Sequence, residues 1–434
     1  MTLLLMALMA TVTVHETTLD TDLLTNSTEE EWVAPGYRVA ERVTIDPLDY
    51  GTPQYWNEDE GRIGFQSFFV DTPQGEKWRI VIAYDMEIVV LQEDAEPSRF
   101  QVDRSIEWVR HSKDGRYVLA KLQEEEQTFE EIVSQGSADP ENRVVLIDIG
   151  TGEQVTRTDV NTISYIGGNG YMVAFDNDSL RFYDDGLNIV GTTWNCFYGQ
   201  TGMTPTAHAT DGSLMVRIFS EAPGDSIAIL RAYDNYGNVL WDSAPPNVGF
   251  PAISEHGEYV FVLGIGRLMC LDGATGDLLW EEPFENEGRM FKACRRGAAC
   301  MFYTDVTPAE SRSNPDRERV LYAVSVSGED RNVCRASYFL GSISITPVTV
   351  NRRGYSLWKI GGGSFYLCLF KNTGELLYSW GKHYGYNYYL NNGLNRNIEP
   401  NLGAYSVDSS GLRFVWIDSR AINIVTLEKE GASS

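Results

Sequence analysis

Side chains able to do chemistry at neutral pH are sparse in this sequence, which holds five histidines and six cysteines among 434 residues. His111-Ser-Lys-Asp-Gly115 and His208-Ala-Thr-Asp-Gly212 share one spacing, and His256 stands directly before Gly257. A residue that recurs at one place in a repeat points to packing at a turn, not to a metal-ligand set. His383 has no chemical companion nearby in sequence, and a lone imidazole makes neither a triad nor a metal site. No Cys-x-x-Cys occurs, which argues against zinc and thioredoxin-like chemistry. Cys270 and Cys368 hold equivalent places in their repeats and read as small buried hydrophobes. Cys294, Cys300 and Cys334 fall within one repeat, where one disulfide could form. Gly361-Gly-Gly363 joins two strand-like stretches and opens no helix, so it is not a phosphate loop. Carboxylates are abundant, yet none stand out as a glycosidase-type pair. Catalytic residues, metal ligands and cofactor are therefore all assigned as none.

Binding chemistry is better represented. Three stretches combine aromatic rings with amides: Tyr50-Gly-Thr-Pro-Gln-Tyr-Trp56, Trp194-Asn-Cys-Phe-Tyr198 and His383-Tyr-Gly-Tyr-Asn-Tyr-Tyr-Leu-Asn-Asn-Gly393. Tyrosine and tryptophan join an apolar face to a hydrogen-bonding edge, and amides supply fixed donors and acceptors. That combination suits sugars, peptides or protein surfaces. Tyr55, Trp56, Trp194, Tyr384, Tyr386, Asn387 and Tyr388 are the candidate ligand-binding residues. The competing reading is that these rings plug a channel or pack their own loops.

The elements that must position these loops are short strands. Glycines at the first hairpin of each unit give the count: Gly75, Gly115, Gly170, Gly212, Gly257, Gly297, Gly354 and Gly411, spaced 40 to 57 residues apart. Most follow a polar residue such as Asp114, Asn169, Asp211 or Ser410, as a two-residue turn with positive φ requires. A strand follows each, as at Arg116–Leu122 and Leu412–Ile417. Third strands are expected at Val144–Asp148, Ser226–Leu230 and Phe365–Leu369. The last unit has three strands, ending at Ile422–Leu427, and an unpaired edge there would invite aggregation. Residues 37–45, Tyr37-Arg-Val-Ala-Glu-Arg-Val-Thr-Ile45, form a strand without a unit and would complete it. The expected fold is an all-β, eight-bladed propeller of four-stranded antiparallel blades, with seven blades as the alternative. One face then carries short Gly-rich turns and looks plain. The other carries the blade-to-blade loops and two insertions, Gln123–Asn142 and Asp305–Glu318. Ring closure makes the first and third aromatic loops neighbours.

The stretch Leu268-Met-Cys-Leu-Asp-Gly-Ala-Thr-Gly-Asp-Leu-Leu-Trp280 is the best-formed turn between third and fourth strands. Its Asp-x-x-Thr-Gly-x-x-x-Trp spacing resembles the quinoprotein-type (PQQ-like) repeat, a WD40-like propeller repeat, and decayed copies occur at Asp148–Gly152, Asp234–Trp241 and Asn372–Tyr378. The resemblance implies that Trp241, Asp272, Thr275, Gly276 and Trp280 shape the turn and tie neighbouring blades together. Quinone-dependent dehydrogenases of that family carry adjacent cysteines and acidic and amide residues near calcium. None of these maps onto this chain, so an oxidoreductase is the least favoured reading.

A formal charge of −26 disfavours nucleic acid and anionic membranes as partners. No apolar run reaches the ~20 residues of a membrane helix. Residues 1–14 are apolar apart from threonines and read as a signal peptide with Ala10 at its cleavage point. Residues 15–36 are acidic and polar and read as a disordered linker. Residues 37–430 are expected to form one domain. The functional expectation is an exported, extracytoplasmic, monomeric and non-enzymatic scaffold that holds a protein partner or a peptide. The alternative is a carbohydrate-binding or carbohydrate-cleaving propeller.

Overall fold

In the computed structural model the residues described are 11–18, 31–50, 65–123, 143–158, 160, 163–175, 179–194, 206–219, 229–245, 249–305, 318–328, 330–339, 344–361, 365–382, 405–417 and 421–431. Among the described residues the regular elements are all strands except for one short 3-10 turn, Pro47–Tyr50. The strands form eight four-stranded antiparallel blades arranged as a propeller. All eight counted glycines adopt left-handed φ, from 73° to 110°, and each sits between the first and second strands of a blade. The period of the repeat therefore reflects backbone geometry that only glycine meets without strain.

Blades five and six are fused into one sheet because two long strands each serve twice. Tyr259–Asp272 pairs with Phe250–Ile253 at its start and with Leu278–Ala293 at its end. The amide of Gly273 donates to the carbonyl of Glu258 at 2.8 Å, so this strand doubles back on itself around Gly266. Leu278–Ala293 likewise leaves blade five and becomes the innermost strand of blade six.

Closure is made by the N-terminal part of the chain. Strand β3, Tyr37–Ile45, lies antiparallel along Ile422–Lys429, with Tyr37 opposite Lys429 and Ile45 opposite Ile422. A single buried cluster then joins blade one (Ile80, Val89) to blade seven (Leu357, Leu367) and blade eight (Phe414, Val425). Burying large aliphatic and aromatic side chains stabilises by ~1.5–3 kcal/mol each, so a continuous apolar core holds the seam.

The segment expected as a disordered linker is ordered at both ends, which is a correction. Strand β1, Val12–Thr18, adds in parallel to the outer strand of blade six, Asp330–Phe339. Strand β2, Glu31–Val33, adds antiparallel to the outer strand of blade seven, Leu376–Lys382. Edge pairing is driven by backbone hydrogen bonds, which an acidic composition does not prevent. Side chains reinforce it: Glu16 pairs with Arg335 at 3.0 Å, and Thr17 Oγ1 donates to the Gly374 carbonyl at 3.0 Å. Residues 1–10, most of the apolar stretch at the start, lie outside the described residues, as do 19–30; Val12–Val14 belong to β1.

Of the third strand expected at Ser226–Leu230 in blade four, Ile229 and Leu230 belong to the strand Ile229–Tyr233, and residues 226–228 lie outside the described residues. Leu230 and Ala232 are buried while Arg231 between them pairs outward with Asp242.

Candidate functional site

The loop-bearing face is set by its stems. Tyr55, Trp56, Tyr384, Tyr386, Asn387 and Tyr388 lie outside the described residues, as do residues 124–142 and 306–317 of the two insertions. Trp194 ends the outer strand of blade three, where its backbone faces Ser179. The loop of residues 51–64 leaves β3 in blade eight and enters blade one at Phe65; that of residues 383–404 leaves blade seven and enters blade eight at Tyr405. Both are blade-to-blade connections at consecutive seams. Their roots share one aromatic core. Trp380 and Trp416 pack with ring centroids 4.0 Å apart, Tyr405 is buried in the same cluster, and Tyr50 packs against it. Tyr84 clamps the start of the first loop by donating to the Pro47 carbonyl at 2.8 Å.

The repeat-turn residues do structural work between blades. Asp272 Oδ1 accepts the amides of Ala274 and Thr275, both at 2.9 Å, closing the turn. Trp241 of blade four donates from Nε1 to the Gly273 carbonyl of blade five at 2.8 Å. Its ring occupies the space beside Gly276, where a Cβ would stand 2.6 Å from it. Trp280 packs against Phe261 and beneath the Arg331 guanidinium of blade six, 4.7 Å from the ring centroid.

The opposite face is not plain. Its first hairpins converge on the channel mouth and are cross-linked by backbone bonds: Asn169 to Asp211, Asp211 to Glu255, and Glu255 to Gly297. Side chains then bridge the opening. Lys113 of blade two donates to the His208 carbonyl of blade four at 2.6 Å. Arg295 of blade six donates to the Ser67 carbonyl of blade one at 3.0 Å, its guanidinium over the Phe68 ring. Arg296 ion-pairs with Asp71 and, at 2.7 Å, with Glu76. Between these bridges lies a cavity of about 40 Å³ whose walls include Phe68, Lys113, Arg295, Asn351, Arg352 and Ser409.

Enclosure dominates the electrostatics here. Burial, with repulsion from Arg295, pushes Lys113 down to about 8 and Lys292 down to about 8. Burial pushes Arg295 down to about 10. His111 is pushed down to about 3 by burial and then by Arg295, and both its ring nitrogens are buried without a hydrogen-bond partner among the described residues. His208 falls well below its ordinary value through burial, then through Lys113 and Arg217, and its ring stacks on Tyr165 at 3.6 Å. Both imidazoles are neutral packing groups. Among the described residues no group of three potential ligands could hold a metal ion. Cys270, Cys294, Cys300, Cys334 and Cys368 are buried free thiols, and burial raises the pKa of each.

Sequence reasoning passed over this mouth because a Lys or Arg beside a hairpin glycine reads as solvated. One signal was present: Arg295-Arg296-Gly297 and Arg352-Arg353-Gly354 repeat at equivalent hairpins of adjacent blades in a strongly acidic chain.

No protein-family model matches the chain, and no characterised protein matches it in sequence. Among solved structures it is similar to the C-terminal WD40 domain of Sif2, at 8% identity and TM-score 0.48, over 90% of this chain and 98% of that one. It is also similar to a eukaryotic initiation factor, at 9% identity and TM-score 0.41, over 74% of this chain and 96% of that one. Neither likeness bears on function, and the fold rests on the strand pairing itself.

Proposed function

We propose that this chain is a non-catalytic binding propeller that holds a protein partner on the face carrying its blade-to-blade loops. The observation that supports the reading is the closure of the ring by β3, which roots the 51–64 and 383–404 loops at adjacent seams over one aromatic core. In composition these two connections carry tyrosines, a tryptophan and asparagines, residue types that can anchor a protein interface. We read the repeat as a divergent quinoprotein-type one used for architecture alone, and the apolar residues 1–14 as directing the protein out of the cytoplasm.

Cross-linking mass spectrometry on the affinity-captured protein tests this. A reproducible partner should cross-link to residues 51–64 and 383–404, and the Trp56→Ala, Tyr386→Ala double variant should lose it while keeping its Tm. Saturable glycan binding that the same double variant abolishes, with no protein partner, replaces the reading by the carbohydrate one. Cross-links confined to the opposite face overturn both.

A further inference from the structure

We propose that the hairpin-side mouth of the central channel is a binding site for a compact tetrahedral oxyanion, phosphate or sulfate in chemistry, held between Lys113 and Arg295. This site is on the face opposite the proposed partner surface and does not depend on that reading.

Topology brings the two cations together. Lys113 is in the first hairpin of blade two and Arg295 in that of blade six, four blades apart in a ring of eight, so they approach across the axis. They are close enough to repel one another, and both line the same cavity. Among the described residues each donates to one backbone carbonyl, Lys113 to that of His208 and Arg295 to that of Ser67, and each also lies over an aromatic ring, Tyr165 and Phe68 respectively. An ammonium has three donors and a guanidinium five, so donors remain for a ligand.

The acids at this mouth are already engaged elsewhere. Asp71 and Glu76 pair with Arg296, and Glu76 also accepts the Ser409 amide at 2.7 Å. Glu255 accepts the Gly297 amide at 2.7 Å. Asp114 accepts from the Ser112 hydroxyl at 2.6 Å and from the Arg116 amide at 3.1 Å. Among the described residues neither Lys113 nor Arg295 has a carboxylate partner. Enclosed charges are normally paired, and burial lowers the basicity of both groups with no carboxylate among the described residues to offset it.

Size selects the ligand. A cavity of about 40 Å³ holds roughly three waters, which suits one tetrahedral oxyanion and excludes a large organic molecule. Guanidinium and ammonium groups together favour phosphate or sulfate over a halide, because each oxygen can accept a separate charge-assisted hydrogen bond. The −26 charge of the chain repels anions at long range. Saturable anion binding would therefore report a local site and not general adsorption.

The test is isothermal titration and thermal unfolding of the full chain at pH 7 with inorganic phosphate, sulfate or chloride at matched ionic strength. The wild type should bind one phosphate saturably and gain Tm over chloride. Lys113→Met should weaken phosphate binding by about tenfold or more, while its Tm in chloride stays level or rises because an unpaired enclosed charge is gone. Arg295→Met serves as the second variant should the first fail to fold. Phenyl phosphate separates the sources: binding of inorganic phosphate alone marks a free ion, and competition by the ester marks the phosphate group of a ligand reaching in from the mouth. Absence of saturable binding up to about 50 mM phosphate, which means an affinity weaker than the millimolar range, or equal binding in wild type and both variants, overturns the proposal.

Discussion

Acidification to pH 5 should destabilise this protein, against the trend its net charge sets. His111, half-buried with both ring nitrogens enclosed, and His208, buried, are neutral, the first held down to about 3 and the second well below its ordinary value. The unfolded chain takes up their protons near pH 6.5, whereas the folded chain does not. Stability is therefore full above pH 6.5 and falls as pH drops below it. At pH 5, 1.5 units below the ordinary histidine value, each ring removes ~2 kcal/mol, or ~4 kcal/mol for the pair. For a chain of this length that corresponds to a Tm loss of about 5 °C. His256 acts in the opposite sense: partial burial lowers its pKa, but Asp211 at 3.1 Å outweighs this and raises it. It is well exposed, and solvent screening makes its contribution small. The 61 acidic residues also pull the other way, since protonating carboxylates relieves self-repulsion in a chain of charge −26. Differential scanning fluorimetry at pH 7.5 and 5.0 decides between them. The wild type should lose Tm on acidification, and His111→Phe with His208→Phe should abolish most of the loss. The Phe ring keeps the stack on Tyr165, and His111 has no hydrogen bond to lose. A wild-type Tm that holds or rises at pH 5, or a double variant as acid-sensitive as wild type, refutes the reasoning.

Urea unfolding should rank three variants at the joint between blades four and five. Trp241→Ala is expected to lose ~3–5 kcal/mol. Gly276→Ala is expected to lose ~2–4 kcal/mol, because its φ is +76° and the new Cβ meets the Trp241 ring. Trp241→Phe should lose ~1–2 kcal/mol with the bond to Gly273. Removal of residues 1–18 should leave the ring closed, with a Tm loss under about 5 °C. Hydrogen exchange should then quicken along Asp330–Phe339, and unchanged protection there would show that β1 does not cover that edge.

The ring was legible because its signals are backbone requirements written in single residues. Glycines at positive φ mark each hairpin, and Val144–Asp148 has the very bounds expected of it. The closing strand was legible for a different reason: a three-stranded last unit and a spare strand at the other end imply each other. β1 and β2 were hidden because strands added to an outer edge need only backbone donors and acceptors; the side chains of β1 stay largely exposed, and β2 is a three-residue strand whose side chains are half-buried. The cationic mouth was hidden because, the repeated Arg-Arg-Gly at residues 295–297 and 352–354 apart, nothing local distinguishes Lys113 or Arg295 from a solvated turn residue. Only the closed ring aims them at one another. The aromatic loops were legible as composition, and their stems give them a common root.

Cross-linking across the closing seam tests the central claim most directly. Arg38 and Glu428 are register partners on β3 and Ile422–Lys429, both accessible, and paired antiparallel residues lie within the Cα separation a disulfide spans. In the Arg38→Cys, Glu428→Cys variant, mild oxidation should give one intramolecular disulfide in a monomer whose Tm is equal to or above wild type. Reactive thiols that stay unlinked, or that join only between separate chains, would show that the two ends do not share a blade.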